Sequence, residues 1–276
     1  MLNCAVSTEA PIMKFVFFID LFQQQNRGST RTLTPLEEFL LTLIKLRCGL
    51  QSQQIADMFG VSVTLVSRVF TTWINFLYVE LKFLIQWPSV DQIRNKLPSA
   101  FKYYPRTRCI IDCSEFFIQR PSLPSSQRKT WSSYKHRNTA KVLIGVSPKG
   151  NITFVSSLWS GSVSDRMLTQ KSGFLDLLEN GDDIMADRGF LIRDLLALRG
   201  ATLNIPPFSF GKQLSSRATT KTRRIARARI HVERAIGRVK LYKILDGTIP
   251  LSLVPLLDQI VFICCALSNL NKQLVK

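Results

Sequence analysis

Apolar residues recur every three or four positions in three successive segments near the N-terminus, which predicts three short helices. Thr34 and Pro35 precede the first segment and Ser62 precedes the third, and these residue types favour helix starts. Gly49 and Gly60 separate the helices. A short helix, a glycine turn and a longer helix are typical of a helix-turn-helix, so we predict such a domain over residues 33–85.

The third of these helices carries small hydroxyl groups and one arginine on its polar side. Thr64, Ser67 and Arg68 are the candidates for DNA contact, because such side chains suit phosphates and base edges. The alternative is a small helical packing unit that touches no DNA. Residues 1–32 form a poorly defined leader, in which residues 15–22 favour a short helix.

The pattern changes after residues 86–105, which we interpret as a linker because prolines interrupt it. From residue 106 to 276, short apolar runs alternate with helical periodicity, which is typical of an α/β domain. The runs predict strands at 108–113, 141–147, 152–158, 183–187 and 201–205. The helical periodicity predicts helices at 165–178, 190–198 and 251–270.

A strongly basic segment, residues 217–240, follows the last predicted strand. One apolar stripe runs through it at helical spacing and predicts a helix with one buried face, formed by Ile225, Ala228, Val232, Ala235 and Val239. Nine of its residues are Lys or Arg, and Glu233 is its only acid. By itself this describes a helix with a solvated basic face and one salt bridge.

The overall charge narrows the choice of partner. The chain has 276 residues and a formal net charge of +18, which favours a polyanion: nucleic acid first, an anionic membrane surface second. Hydrophobic residues make up 46% of the chain, so it is globular rather than disordered. The six cysteines form no CxxC pair, which argues against a zinc finger and for a reducing compartment. Prolines and Asp258 in the C-terminal apolar run favour a buried helix, and we expect no membrane partner.

Three acids stand out against this background. Asp112 lies inside an apolar strand, Asp187 ends a later strand, and Glu233 lies on the basic helix. Three carboxylates brought together repel each other, and a divalent cation removes the conflict. Hard oxygen donors favour Mg²⁺ or Mn²⁺, and two such ions can activate water and stabilise the leaving oxygen of a phosphodiester. Each acid also has a structural interpretation, in which Asp187 caps a helix and Asp112 pairs with a nearby arginine.

Several long blocks carry a resemblance to a known family. They are CIIDCSEFFIQRP (109–121), SYKHRNTAKVLIGVSPKGNITFVSSLWSGSVSDRMLTQKSGFLDLL (133–178), GDDIMADRGF (181–190) and ARIHVERAIGRVK (228–240). In order and content they resemble the DDE superfamily endonucleases related to Harbinger-type transposases, the group called DDE transposase family 4. The resemblance implies an RNase H-like mixed sheet flanked by helices, behind the helix-turn-helix. It also implies metal-dependent DNA cleavage, with Asp112, Asp187 and Glu233 as catalytic and metal-binding residues.

Further residues near these blocks suit a DNA-cleaving site. Glu115 is expected beside the metal rather than on it, and His231 in a structural position. Groups that contact DNA phosphates or orient the acids are expected at Lys135, His136, Arg188, Arg227, Arg234 and Lys240. We expect DNA as the partner, a homo-oligomer or an accessory DNA-binding protein beside it, and a nuclear location. The alternatives are a domesticated or decayed transposase that only binds DNA, and a basic scaffold protein without metal binding.

Overall fold

The computed structural model describes residues 19–22, 24, 32–95, 97–207, 216–271 and 274. Most of the leader predicted for residues 1–32 lies outside the described residues, but residues 19–22 of the helix predicted at 15–22 are described and are helical.

Three helices near the N-terminus form the predicted helix-turn-helix: α1 (Pro35–Cys48), α2 (Ser52–Phe59) and α3 (Val63–Glu80). A capping box fixes the start of α1, in which Glu37 N–H donates to Thr34 Oγ1 and Thr34 N–H donates to Glu37 Oε2. Gly49 and Gly60 end α1 and α2 in the left-handed region, at φ 65° and 63°. The local signals in the sequence therefore predicted this unit correctly.

The buried Trp73 on α3 contacts several parts of this helical unit. Its indole Nε1–H donates to Glu38 Oε2 of α1 over 3.0 Å. The ring stacks on Phe22 at 4.0 Å and packs against Phe39 at 5.1 Å. An aromatic residue that fills the core and satisfies its own polar atom fixes the angle between α1 and α3.

The remaining chain forms a mixed sheet around the long central strand β1 (Thr107–Ile118). On one side β1 pairs antiparallel with β3 (Arg137–Val146), and β3 pairs antiparallel with β4 (Ile152–Val155). On the other side β1 pairs parallel with β6 (Asp183–Met185), which pairs parallel with β7 (Thr202–Asn204). This mixed sheet with flanking helices confirms the predicted RNase H-like α/β fold.

Three short strands complete the sheet: β2 (Trp131–Ser132) and β5 (Trp159–Ser160) pair with β3, and β8 (Thr248–Ile249) pairs with the end of β1. The other helices are α4 (Val90–Arg94), α5 (Pro124–Thr130), α6 (Asp165–Lys171), α7 (Arg193–Ala197), α8 (Ser216–Val239) and α9 (Val254–Ser268). The predicted linker 86–105 thus contains α4 and a 3₁₀ turn at Ser99–Phe101.

Two hydrophobic cores lie on opposite faces of the sheet. One core joins Ile110 and Phe116 of β1 to the buried stripe of α8, to α9 and to the helical unit. The other joins Cys109 and Ile111 to residues of α6 and α7. Because side chains alternate along a strand, Asp112 shares the face of Ile110 and Phe116, which is the face that α8 covers.

Several predicted element bounds were wrong, and each error has a local cause. The helix predicted at 165–178 ends at Lys171, because Gly173 has φ 78° and a 3₁₀ turn follows. The strand predicted at 152–158 breaks after Val155, where the Ser156 hydroxyl accepts the Leu143 N–H that a strand carbonyl would have accepted. The strand predicted at 108–113 continues to Ile118, since its second half pairs with β3.

The other bounds differ at the ends of elements. The strand predicted at 183–187 ends at Met185, and the helix predicted at 190–198 starts at Arg193, because residues 187–190 form a turn closed by Phe190 N–H to the Asp187 carbonyl. The helix predicted at 251–270 is a 3₁₀ turn followed by α9. Residues 251–268 are long and apolar enough to span a membrane by composition, and half of this stretch is buried, with α9 packed against α3.

Candidate active site

Asp112 lies in the middle of β1, directly opposite Ile144 of β3. Its carboxylate is partly buried and accepts the N–H of Cys113 at 2.9 Å. Burial raises the pKa of Asp112 to about 6, and the charges of Asp187 and Asp165 act in the same direction, whereas Arg229 lowers it. Asp112 is therefore within electrostatic reach of two other acids and one arginine that are far away in sequence.

Arg229 of α8 connects the other two candidate acids. Its Nη1 lies 3.1 Å from Asp187 Oδ1, and its Nη2 lies 3.7 Å from Glu233 Oε1. The Arg229 side chain is only 13% exposed, while those of Asp187 and Glu233 are 55% and 57% exposed. The guanidinium group is thus inserted between two carboxylates that face solvent.

The backbone explains how each partner reaches this point. Glu233 follows Arg229 by one helical turn, so both side chains leave α8 on the same side. The buried stripe of Ile225, Ala228 and Val232 faces the sheet and sets the rotation of α8. Asp187 lies two residues beyond β6, where its Oδ1 also accepts the Arg188 N–H at 2.7 Å.

These contacts bear on whether the acids suit a divalent cation. Three carboxylates supply the hard oxygen donors that Mg²⁺ and Mn²⁺ prefer, and the burial of Asp112 leaves its charge poorly solvated. The donor set therefore fits such an ion in kind. In the arrangement observed, however, the described part of the chain contains no group of three or more His, Cys, Asp or Glu side chains that could hold a metal ion. The Arg229 guanidinium lies between Asp187 and Glu233 and offsets part of their charge.

A second charged cluster includes Asp165, whose charge also raises the pKa of Asp112, and two of its members were not predicted from the sequence. Lys141 of β3 is buried, and its Nζ lies 3.4 Å from Glu115 Oε1 and 3.3 Å from Asp165 Oδ1. It also donates to the Val163 carbonyl at 3.0 Å. Asp165 follows a helix-capping serine, so the sequence around it indicates only a helix start. The only signal for Lys141 was a lysine inside an otherwise apolar strand.

Glu115, which we expected beside the metal, is held by this cluster. Thr139 Oγ1 donates to Glu115 Oε2 at 2.8 Å, and Lys141 pairs with the other oxygen. His231 is buried and stacks on Phe101 at 5.8 Å between ring centroids. Burial lowers the pKa of His231, followed by the effect of Arg234, so the ring stays neutral near pH 7.

The side chains predicted to contact DNA are all exposed. Those of the helix-turn-helix lie on α3, and the others lie in the β2–β3 turn, after β6 and along α8. They are Thr64, Ser67, Arg68, Lys135, His136, Arg188, Arg227, Arg234 and Lys240. His136 has a positive φ of 51°, which places a tight turn next to Lys135.

Comparison with known proteins gives two family matches and one relative. Residues 111–269 match the model of a family described as DDE superfamily endonuclease. Residues 31–83 match the helix-turn-helix of DDE superfamily endonuclease. A protein of Arabidopsis thaliana, "Protein ALP1-like", is 23% identical over 241 residues, which cover 83% of this chain. The matched region is 59% of that relative, so the chain spans less than two thirds of its length.

Proposed function

The chain belongs to the DDE superfamily endonuclease family, whose model matches more than half of it, and from this premise we propose that it is a metal-dependent DNA endonuclease of transposase descent. The reaction is the hydrolysis of a phosphodiester bond in DNA by a two-metal mechanism. Asp112, Asp187 and Glu233 are the proposed catalytic and metal-binding residues. Mg²⁺ or Mn²⁺ is the proposed cofactor.

One observation carries the proposal: three carboxylates that are remote in sequence lie around a single guanidinium group. Asp187 and Glu233 contact Arg229 directly, and Asp112 is within its electrostatic reach. Acids that serve only solubility have no reason to converge from a central strand, a turn and a helix. Convergence of several acids, one of which is partly buried with a raised pKa, is typical of a functional site.

Each acid has a proposed role that follows from its position. Asp112 is fixed by β1 and the Cys113 N–H, so it anchors the inner side of the site. Asp187 and Glu233 face solvent and close the outer side, where the DNA strand approaches. Bound divalent cations supply Lewis acidity and lower the pKa of an attacking water.

The basic side chains complete the proposed DNA surface. Arg227 and Arg234 lie on α8, before and after Glu233 in the sequence, and Lys240 follows the end of α8. Arg188 directly follows Asp187, and the β2–β3 turn presents Lys135 and His136. These groups hold phosphates, while Thr64, Ser67 and Arg68 of the helix-turn-helix bind the flanking duplex. We propose DNA as the partner, with a homo-oligomer or an accessory DNA-binding protein, and the nucleus as the compartment.

A plasmid-nicking assay tests the proposal. Full-length protein is incubated with supercoiled plasmid and Mg²⁺ or EDTA, and Asp112→Asn is compared with Asp176→Asn. Asp176 is an exposed acid that pairs with Arg199, so its variant controls for the loss of one surface carboxylate. We expect the Asp112 variant to lose nicking while it still binds DNA, and Asp176→Asn to nick normally. Mg²⁺-dependent nicking by Asp112→Asn would refute the assignment.

A second function is favoured by the Arg229 contacts. Because Arg229 already pairs with both Asp187 and Glu233, a chain that never recruits metal can keep this site as a structural ion-pair network. The protein is then a domesticated or decayed transposase that only binds DNA. In the same assay, DNA binding without nicking by the wild-type protein in Mg²⁺ selects this function.

A further inference from the structure

We infer that Arg229 is a resident counter-cation of the acid site, which holds Asp187 and Glu233 when no metal is bound and competes with divalent cations for them. The inference rests on the proposed function, because it takes these two acids as metal ligands. It assigns to Arg229 a positioning and competing role.

The contacts of Arg229 show that its guanidinium group occupies the space between the acids. One terminal nitrogen contacts Asp187 and the other contacts Glu233, so a single group bridges both carboxylates. The side chain is largely buried although it belongs to a strongly basic helix. On the same helix Arg223, Arg227 and Arg234 are exposed, whereas Arg229 lies against the two acids.

The guanidinium group is incompletely satisfied in this position. Its Nε is buried and has no hydrogen-bond partner among the described residues. Arg229 thus uses only part of its donor fork, and the acids hold it through one hydrogen bond of 3.1 Å to Asp187 and one longer ion pair of 3.7 Å to Glu233. A second cation can compete for carboxylates that are held by so few contacts.

The two cations compete for the same carboxylate oxygens, because Arg229 contacts both Asp187 and Glu233. Asp112, Asp187 and Glu233 carry three negative charges when ionised, and one guanidinium group leaves two of them uncompensated. A divalent cation held by these acids would supply this charge, but it would need the oxygens that Arg229 contacts and would repel the nearby guanidinium group. Metal binding therefore requires both ion pairs of Arg229 to break, which weakens the apparent metal affinity of the free protein.

Calorimetric titration with Mn²⁺, without DNA, tests the inference on the full chain. The variants are Arg229→Met, which keeps the apolar stem but removes the charge, and Arg223→Met as the matched control. Arg223 lies on the same helix and is exposed. Its substitution by Met therefore removes the same charge without removing a contact to the acids. We expect Arg229→Met to bind Mn²⁺ about tenfold more tightly than wild type, since two ion pairs no longer have to break. Arg223→Met should stay within about twofold of wild type, because screening weakens its distant charge.

A second variant protects the test against misfolding. Arg229→Lys keeps the charge on a smaller group that cannot bridge both acids at once, so its Mn²⁺ affinity should lie between wild type and the Met variant. If wild type binds Mn²⁺ and neither Arg229 variant binds it more tightly, the inference is overturned while the proposed function stands. If no protein in the series binds Mn²⁺, the proposed function is overturned, and the inference with it.

Discussion

Arg229 donates a hydrogen bond of 3.1 Å to Asp187, a residue 42 positions earlier in the chain. This contact fixes α8 against the turn after β6, and through the next helical turn it brings Glu233 to the same place. The geometry of the candidate site thus depends on one side chain of opposite charge to the acids. A change in the partners of Arg229 should change the properties of the whole site.

DNA binding should strengthen metal binding through this arginine. Phosphate groups accept bidentate hydrogen bonds from arginine, so a DNA strand beside the acids offers Arg229 an alternative partner. We expect a duplex to tighten Mn²⁺ binding by about 5- to 20-fold, a normal coupling strength between two ligands. Titrations of the wild-type protein with and without a phosphorothioate duplex that resists cleavage, at fixed salt, measure this coupling.

The same coupling should disappear when Arg229 is removed. In an Arg229→Met background the free protein has no arginine ion pair to Asp187 and Glu233. DNA therefore has no such ion pair to break, and it should no longer tighten Mn²⁺ binding in this way. A coupling of unchanged size in that background would mean that DNA acts through another group.

The hydrogen bond between Trp73 and Glu38 should contribute more to the free energy of unfolding than an exposed side chain on the same helix does. Trp73→Phe removes the indole N–H that satisfies Glu38 Oε2 inside the helical unit. We expect a loss of about 2 kcal/mol in the free energy of unfolding, because a buried acceptor loses its donor. Urea unfolding measures the change. Thr71→Ala, at an exposed position on the same helix, should change it by less than about 0.5 kcal/mol, and equal effects of the two variants would contradict the assignment.

Substitution of two glycines by alanine should change the stability of the protein in opposite directions. A Cβ on Gly161 would lie 2.7 Å from the Thr130 carbonyl oxygen and would also meet Thr139 Oγ1, the group that holds Glu115. Gly161→Ala should therefore destabilise the protein by about 2 kcal/mol through overpacking. Gly237 lies inside α8 with open space around the added Cβ, so Gly237→Ala should stabilise it by about 0.5–1 kcal/mol.

Thermal unfolding of both glycine variants in parallel provides the measurement. The two substitutions add the same atoms, so each is the control for the other. A Gly161→Ala protein as stable as wild type would mean that the β5 region yields easily and does not fix Thr139.

The parts that the sequence predicted well are those that depend on local chemistry. Thr34, Ser62 and the glycines after α1 and α2 define their helix ends through neighbours a few residues away. The apolar stripe of α8 was also visible, because periodicity survives in a single sequence. The three acids were selected by their type, their order and the family resemblance, and their catalytic role stays a prediction.

The contacts among those acids could not be predicted in the same way. Arg229 is one of nine basic residues in its segment, and only the packing of α8 on β1 turns it inward. Asp165 and Lys141 meet across 24 positions because β3 passes beside the start of α6. Such pairs depend on tertiary packing, and the spacing of residues along the chain does not predict them.

Arg68 on α3 should contribute to DNA affinity through a phosphate contact. Its side chain is exposed next to Ser67 and near Thr64, on the helix predicted to face the duplex. Arg68→Ala should weaken binding uniformly across DNA sequences and reduce the salt dependence of binding by about one released counterion. Fluorescence anisotropy with labelled duplexes over a series of salt concentrations measures both quantities. Lys171→Ala, which removes an exposed charge from α6, should leave the salt dependence unchanged. If Arg68→Ala and Lys171→Ala give the same slope as wild type, α3 does not contact the DNA backbone and the helical unit serves packing alone.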